Sequence, residues 1–196
     1  MSDYAALSLN RIVGPLNFDG HTHESATLDT PALQLLTDLA HGPRVSVYPQ
    51  DPIDEAIAIM KRAGVRLAFV VAGDSNHTTP LGFVTAADLM GERPMQIAAN
   101  SPMRPTELRV RDLMEPTGHW QVVDMRTARN ARIGHVIETL RASGRRHLIV
   151  TQQRESGMVV RGVFSATRIE RALGVPIDTL GRPGSFAEVG AALAHT

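Results

Sequence analysis

The chain of 196 residues contains no cysteine. Disulfides, thiol nucleophiles and cysteine-ligated metals are therefore excluded, and the redox compartment is left open. Lysine is almost missing too: Lys61 is the only one among twenty basic residues, so positive charge is carried by arginine. Arginine grips phosphate and carboxylate as a fork, which makes local arginine clusters more informative than the total. There is no net charge, twenty acids balancing twenty bases, and so no overall field to drive the chain onto nucleic acid or an anionic membrane. No apolar run approaches the roughly 18 residues of a membrane span. The opening Met-Ser-Asp-Tyr lacks a basic segment followed by an apolar one, so no secretion signal is expected and the cytoplasm is the expected compartment. Catalytic signatures are missing as well: no G-x-S-x-G, no P-loop, no H-E-x-x-H, and eight dispersed histidines. The expectation is a protein that is not an enzyme.

What is present is an ordinary globular composition, 43% hydrophobic and 20% charged. The length suffices for one sizeable core or two small ones. Residues 1–30 read as an N-terminal arm; His21, His23 and Glu24, with His41 further on, are weighed as a metal site and set aside for want of fixed ligands. Thr30-Pro31 reads as a helix start, with Leu33, Leu35, Leu36 and Leu39 as its apolar face up to Gly42-Pro43. Val45–Tyr48 is expected as a strand, Ile53 to Ala63 as a helix with Ile53, Ile57 and Met60 on one side, and Leu67–Val71 as a strand covered on both faces. Leu81–Val84 reads as a strand running into a helix at Thr85. Residues 92–109 form a proline-broken connection. The pattern then restarts, with Trp120–Met125 as a strand, Ile133 to Gly144 as a helix, and strands over 148–150 and 158–164. Residues 175–196 read as a loop and a final helix, capped by Ser185 and carrying Phe186.

The restart is a repeat. Ile53, Ile57, Met60, Gly64, Arg66, Val70, Gly82, Thr85 and Leu89 correspond to Ile133, Ile137, Leu140, Gly144, Arg146, Val150, Gly162, Ser165 and Ile169, all at an offset of eighty. Upstream, Asp38-Leu39 aligns with Asp112-Leu113 at 74, which implies about six extra residues between strand and helix in the second copy. A unit this long is a duplicated small domain. The expected fold is α/β (α+β): two tandem βαββα repeats, over 31–91 and 110–174.

The last strand-to-helix turn of each copy carries the chemistry. Gly82-Phe83-Val84-Thr85-Ala86-Ala87-Asp88 ends a strand and opens a helix, presenting free N–H groups and the positive end of the helix dipole. Thr85 can donate to a phosphate or ribose oxygen, Asp88 can accept from two ribose hydroxyls, and Gly82 permits close approach. The same Thr85-x-x-Asp88 spacing also fits a helix capping box, and both readings stand at this point. The second copy, Gly162-Val163-Phe164-Ser165-Ala166-Thr167-Arg168, keeps glycine and hydroxyl but places Arg168 where Asp88 stood. A guanidinium only donates, so this copy lacks the ribose acceptor.

A Val-x-Asp-Leu-Met lead-in, an apolar strand after Gly-x-Arg and a Gly-apolar-apolar-[Ser/Thr]-x-x-Asp close, twice in register over residues 33–174, resemble a tandem pair of CBS domains (a Bateman module), here of the stand-alone bacterial type. The resemblance implies two repeats packed by their sheets about a pseudo-twofold axis, with two clefts between them. It implies an adenosine-containing ligand, AMP, ADP or ATP, with S-adenosylmethionine as the alternative, and no required cofactor; whether magnesium accompanies the phosphates stays open. It further implies a homodimer signalling to an unidentified target protein, with no nucleic-acid or membrane partner. On this basis Gly82, Thr85 and Asp88 form one nucleoside site. Arg145, Arg146, His147 and Arg168 are offered to its phosphates, and Thr37 and Asp38 to its wall. By strand alternation Arg146 is expected opposite Arg145 and His147. Arg66, Ser165 and Met114 fall in a second, degenerate cleft. The alternatives are a structural dimerisation module with dead sites and a cryptic nucleotide-processing enzyme.

Overall fold

A computed structural model describes residues 26–42, 44–73 and 78–177. The N-terminal histidines His21 and His23 with Glu24, and the helix expected from Ser185 and Phe186, lie outside the described residues. Each repeat builds a helix whose apolar stripe faces a sheet. In the first, α1 (Ile53–Ala63) has Asp54 and Glu55 in its first turn and Lys61 and Arg62 in its last, matching the helix dipole at both ends. It stops where Gly64 turns left-handed at φ 65°. In the second, α6 (Ile133–Ser143) stops in the same way at Gly144, φ 64°. The strands that follow are β3 (Leu67–Gly73) paired with β4 (Thr78–Thr85), and β7 (His147–Arg154) paired with β8 (Gly157–Ser165), each an antiparallel hairpin. Both hairpins shift register at one equivalent place, between Val70 and Val71 and between Val150 and Thr151. A shared bulge is a strong mark of duplication.

Period-two alternation sorts the strand residues into three cores. Ala68, Val70 and Val84 pack with Ala56, Met60 and Leu89 on the outer face of the first sheet. Leu148, Val150 and Phe164 pack with Ile133, Ile137, Leu140 and Ile169 on the outer face of the second. The inner faces meet each other: Leu67, Phe69, Val71 and Phe83 against Ile149 and Val163. Each sheet has four strands, in the orders β2-β3-β4-β5 and β1-β8-β7-β6. The short outer strands are β1 (Thr37–Asp38), β2 (Ser46–Val47), β5 (Glu115–Pro116) and β6 (Val122–Asp124).

The lead-ins cross over. β1 precedes the first repeat in the chain but pairs with β8 of the second, Asp38 opposite Gly162. β5 precedes the second repeat but pairs with β4 of the first, Pro116 opposite Gly82. Ala32 and Leu36 are buried in the second repeat's core, and Leu108, Val110 and Leu113 in the first's. The glycines explain how this is possible. A Cβ on Gly82 would stand 2.5 Å from the Glu115 carbonyl oxygen and 3.2 Å from the Met114 sulfur. A Cβ on Gly162 would stand 2.7 Å from the Thr37 carbonyl oxygen. Both glycines therefore admit the crossing strand. Gly82, expected to let a ligand approach the backbone, has that space filled by Met114 and Glu115.

Four local expectations change. The helix expected from Thr30 to Gly42 is a single 3-10 turn, Ala32–Leu35, followed by β1. Leu36 must reach the second core and Thr37–Asp38 must extend to pair with β8, which a continuing helix forbids. The strand expected over Trp120–Met125 is shortened to Val122–Asp124, because a 3-10 turn (Thr117–His119) first aims Trp120 between the sheets. The strand expected over Val45–Tyr48 is Ser46–Val47 alone. The lead-in offset is also corrected. Since Asp38 faces Gly162 and Pro116 faces Gly82, the lead-ins align at 78 rather than 74. Val47 and Val123 face Val70 and Val150, an offset of 76. Four extra residues therefore separate strand and helix in the second copy, where the short helix α5 (Met125–Asn130) forms.

The remaining helices are α2 (Ala86–Met90) and α7 (Ala166–Leu173), which follow β4 and β8, α3 (Arg93–Ala99) in the connection and α4 (Val110–Leu113) in the second lead-in. No helix among the described residues is long and apolar enough to cross a membrane.

Candidate functional site

Two clefts open where β4 turns into α2 and β8 turns into α7. The first, about 240 Å³, is lined by Thr85, Asp88, Arg145, Arg146 and His147, together with Glu115, Arg66 and Thr167. The second, about 310 Å³, is lined by Ser165, Arg168 and Arg66, together with Thr37, Thr167, Arg171 and His147. Arg66, His147 and Thr167 touch both and form the divider between them.

In the first cleft Thr85 caps α2. Its Oγ1 accepts from the Asp88 N–H at 3.2 Å, and the Asp88 carboxylate accepts from the Thr85 N–H at 3.0 Å and the Thr85 hydroxyl at 2.7 Å. The capping box is thus formed, and it occupies one carboxylate oxygen. The other oxygen accepts from Arg93 Nη1 at 2.8 Å. Across the cleft Arg145 Nη1 donates to both oxygens of Glu115, each at 2.7 Å. Arg146 reaches away to Glu170 of α7, donating at 2.8 and 2.9 Å. Arg145, Arg146 and His147 all line this cleft, contrary to the alternation expected of them. Strand β7 begins only at His147, so Arg145 and Arg146 lie in the turn after Gly144 and escape its period.

His147 occupies the place of Leu67 in the duplicate, on the inner face of its sheet. Burial holds its pKa down to about 4; the charge of Arg146 adds to this, Asp88 opposes it, and Arg66 adds a smaller push in the same downward sense. At neutral pH the ring is uncharged and offers one donor and one acceptor.

The second cleft differs in its chemistry. Ser165 stands where Thr85 does, but its side chain makes no capping hydrogen bond. Arg168 faces this cleft and not the first, so it is not placed to meet phosphates of a ligand held by Thr85 and Asp88. The lead-in residues are exchanged in the same sense. Thr37, expected in the first site, lines the second cleft, because β1 pairs with β8. Asp38 is bound to Arg161 by two hydrogen bonds. The Ala40 N–H first, and then Arg161 and His41, hold its carboxyl down to about 2. Met114, expected in the second cleft, packs on Gly82 in the first repeat.

Three contributors were not singled out from sequence. Glu115 and Trp120 owe their places to the strand crossing, which no local pattern encodes. Trp120 donates its Nε1 hydrogen to the Glu115 carbonyl at 3.1 Å and lies with its ring centre 5.5 Å from that of Phe83. Arg171 did leave a signal: it follows Arg168 by three residues, one helical turn on the same face. Among the described residues no group of three or more histidines and acids is arranged to hold a metal ion.

Comparison with known proteins agrees with this architecture. Residues 36–94 match the family model of the CBS domain. No curated protein matches the chain. Among solved structures, an uncharacterized conserved protein from Pyrococcus horikoshii superposes with a TM-score of 0.52 at 18% identity, over 74% of this chain and 93% of that one. A conserved CBS domain protein of unknown function from Thermoplasma acidophilum superposes with a TM-score of 0.50 at 15% identity, over 85% and 77%. A CBS domain pair solved with 5′-methylthioadenosine and S-adenosyl-L-methionine gives 0.50 at 16%, over 74% and 96%. The family's model is thus matched over the first repeat, and the fold of the two repeats together is that of a CBS-domain pair.

Proposed function

We propose that the chain is a regulatory module that binds one adenosine-containing nucleotide in the first cleft and passes on its occupancy as a change of conformation or of partner binding. The observation that carries this is the convergence of Thr85 and Asp88 from the first repeat with Arg145, Arg146 and His147 from the second in one cleft. Hydroxyl and carboxylate suit a ribose; guanidinium groups facing them suit phosphates. A likeness in fold to a CBS pair that holds adenosine compounds supports the ligand class. The ligand would meet a site already paired with itself. Its ribose would take the Asp88 oxygen now held by Arg93, and its phosphates would compete with Glu115 for Arg145. Arg93 is 44% exposed, so releasing it costs about 1 kcal/mol or less. Such an exchange of internal for ligand ion pairs is a physical route from binding to a shape change. Dimerisation through the repeats and a downstream target protein belong to the same reading.

The test is a thermal-shift panel with AMP, ADP, ATP and S-adenosylmethionine. The reading expects a saturable rise in melting temperature with at least one of them, lost in Asp88→Ala. No shift with any of the four would overturn it in favour of a purely structural module.

A further inference from the structure

The second repeat ends in a way the first does not. Helix α7 stops at Gly174, left-handed at φ 72°, and the chain turns back so that the Ile177 side chain is buried in that repeat's core. The turn is held by Glu170, whose Oε1 accepts from the Ile177 N–H at 3.2 Å. The same carboxylate is gripped by Arg146, whose Nη2 donates to Oε1 at 2.9 Å and to Oε2 at 2.8 Å. Arg146 lines the first cleft. Glu170 therefore joins the wall of that cleft to the segment by which the chain leaves the second repeat.

The first repeat has no counterpart. At the offset of eighty, Arg66, Met90 and Ile97 stand for Arg146, Glu170 and Ile177. Met90 carries no charge to hold an arginine, and Ile97 lies within α3. The link arose by divergence of one copy. Its physics is simple. A carboxylate held at both oxygens keeps one orientation, and the Ile177 N–H is bonded to it in that orientation. Without the arginine the Glu170 side chain regains its other rotamers, and the backbone bond is no longer fixed. The ion pair is half open to solvent, Arg146 being 42% exposed, so a bound phosphate can compete for the guanidinium. The Arg146 carbonyl accepts from the Ala166 N–H at 2.9 Å, which anchors its backbone to the start of α7 and leaves only the side chain to move.

We propose that Glu170 is a relay. Capture of Arg146 by a ligand phosphate in the first cleft releases Glu170, frees the Ile177 N–H and loosens the exit of the chain after α7, so occupancy is read out at the C-terminal end of the second repeat. The trigger rests on the nucleotide reading above; the link between Arg146 and Ile177 is a property of the ligand-free chain. By reciprocity, weakening the link should favour the ligand.

Residue-resolved amide hydrogen exchange by NMR on the full chain tests it. Without ligand, Arg146→Ala and Glu170→Gln should each speed exchange of the Ile177 N–H about three- to tenfold, with Val150 and Phe164 in the core exchanging as in the parent. Saturating ATP should bring the parent's Ile177 towards the rate of Arg146→Ala and add nothing in that variant. Glu170→Gln should also bind ATP a few-fold more tightly. Adenosine, which has no phosphate, should shift the Thr85 and Asp88 amides without speeding Ile177. An unchanged Ile177 rate in ligand-free Arg146→Ala would overturn the relay. So would ATP that shifts the Thr85 and Asp88 amides and leaves Ile177 as it was, or equal acceleration by adenosine. Failure of the nucleotide reading is seen separately, as no shift of Thr85 and Asp88 with ATP, and the ligand-free variants then still decide the link.

Discussion

His147 is where a single residue has most to say. Its duplicate is Leu67, so the second repeat has put an ionisable ring where the first has an apolar side chain on the inner face. Its pKa lies near 4 in the folded chain against about 6.5 when unfolded. Between those values the unfolded chain binds a proton that the folded chain refuses, so stability rises with pH across that window and is fully present above pH 6.5. The loss on acidification from pH 6.5 to 4 should be about 2–3 kcal/mol, the ring being mostly but not wholly buried. Urea denaturation at steps of pH checks this. His147→Leu should flatten that part of the profile, and a profile equally steep in the variant would show that other groups cause it. Arg93 gives a second prediction at this scale. It holds one oxygen of Asp88, so Arg93→Ala should tighten nucleotide binding in the first cleft by a few-fold, read as a lower Kd in calorimetry.

At the scale of elements, the crossing lead-ins decide both clefts. Each depends on a glycine that leaves room for a backbone carbonyl. Gly82→Ala and Gly162→Ala should each cost about 2 kcal/mol or more, since a methyl group cannot share space with a carbonyl oxygen 2.5–2.7 Å away. For a chain of this size that is a fall in melting temperature of about 4–8 °C by calorimetry. A variant melting as the parent does would mean that the crossing strands can shift freely. The helices, hairpins and duplication were legible in the sequence because they are local: apolar spacing in Ile53, Ile57 and Met60, a stop at Gly64, alternation in Leu67–Val71, all repeated eighty residues on. The lead-ins were not. Leu33, Leu35, Leu36 and Leu39 fit a helix stripe, but Leu36 is buried by the second repeat, and Thr37 and Asp38 pair with Val163 and Gly162 of that repeat's last strand. That partner is set by the tertiary fold, so propensity misread the segment. The same exchange moved Thr37 to the second cleft and Met114 onto Gly82 of the first repeat.

For the whole molecule, duplication followed by divergence has produced two clefts at equivalent turns with two chemistries. In the first, Arg145 is paired with Glu115 and Asp88 is held by Arg93; among the described residues lining the second there are arginines and no acid. A chain with no net charge therefore presents a local positive field on one side of its divider, a contrast that the overall balance of twenty acids and twenty bases conceals. The difference at Asp88 and Arg168 was visible in the sequence, but its consequence was not, because Arg66 and Arg171 join Arg168 only in the folded chain. The divider of Arg66, His147 and Thr167 touches both clefts, so a ligand bound in one would change the surroundings of the other.

The first cleft is proposed to hold an adenosine nucleotide through Asp88. Trp120, the only tryptophan, packs on Phe83 and Glu115, which line that cleft, and reports on it through them. Titration of AMP followed by Trp120 fluorescence should give a saturable change at one nucleotide per chain, with affinity falling at least about tenfold in Asp88→Asn, which retains an acceptor for the helix cap but loses the charge. Equal affinity in parent and Asp88→Asn, or no saturable change with AMP, ADP or ATP, would contradict the account.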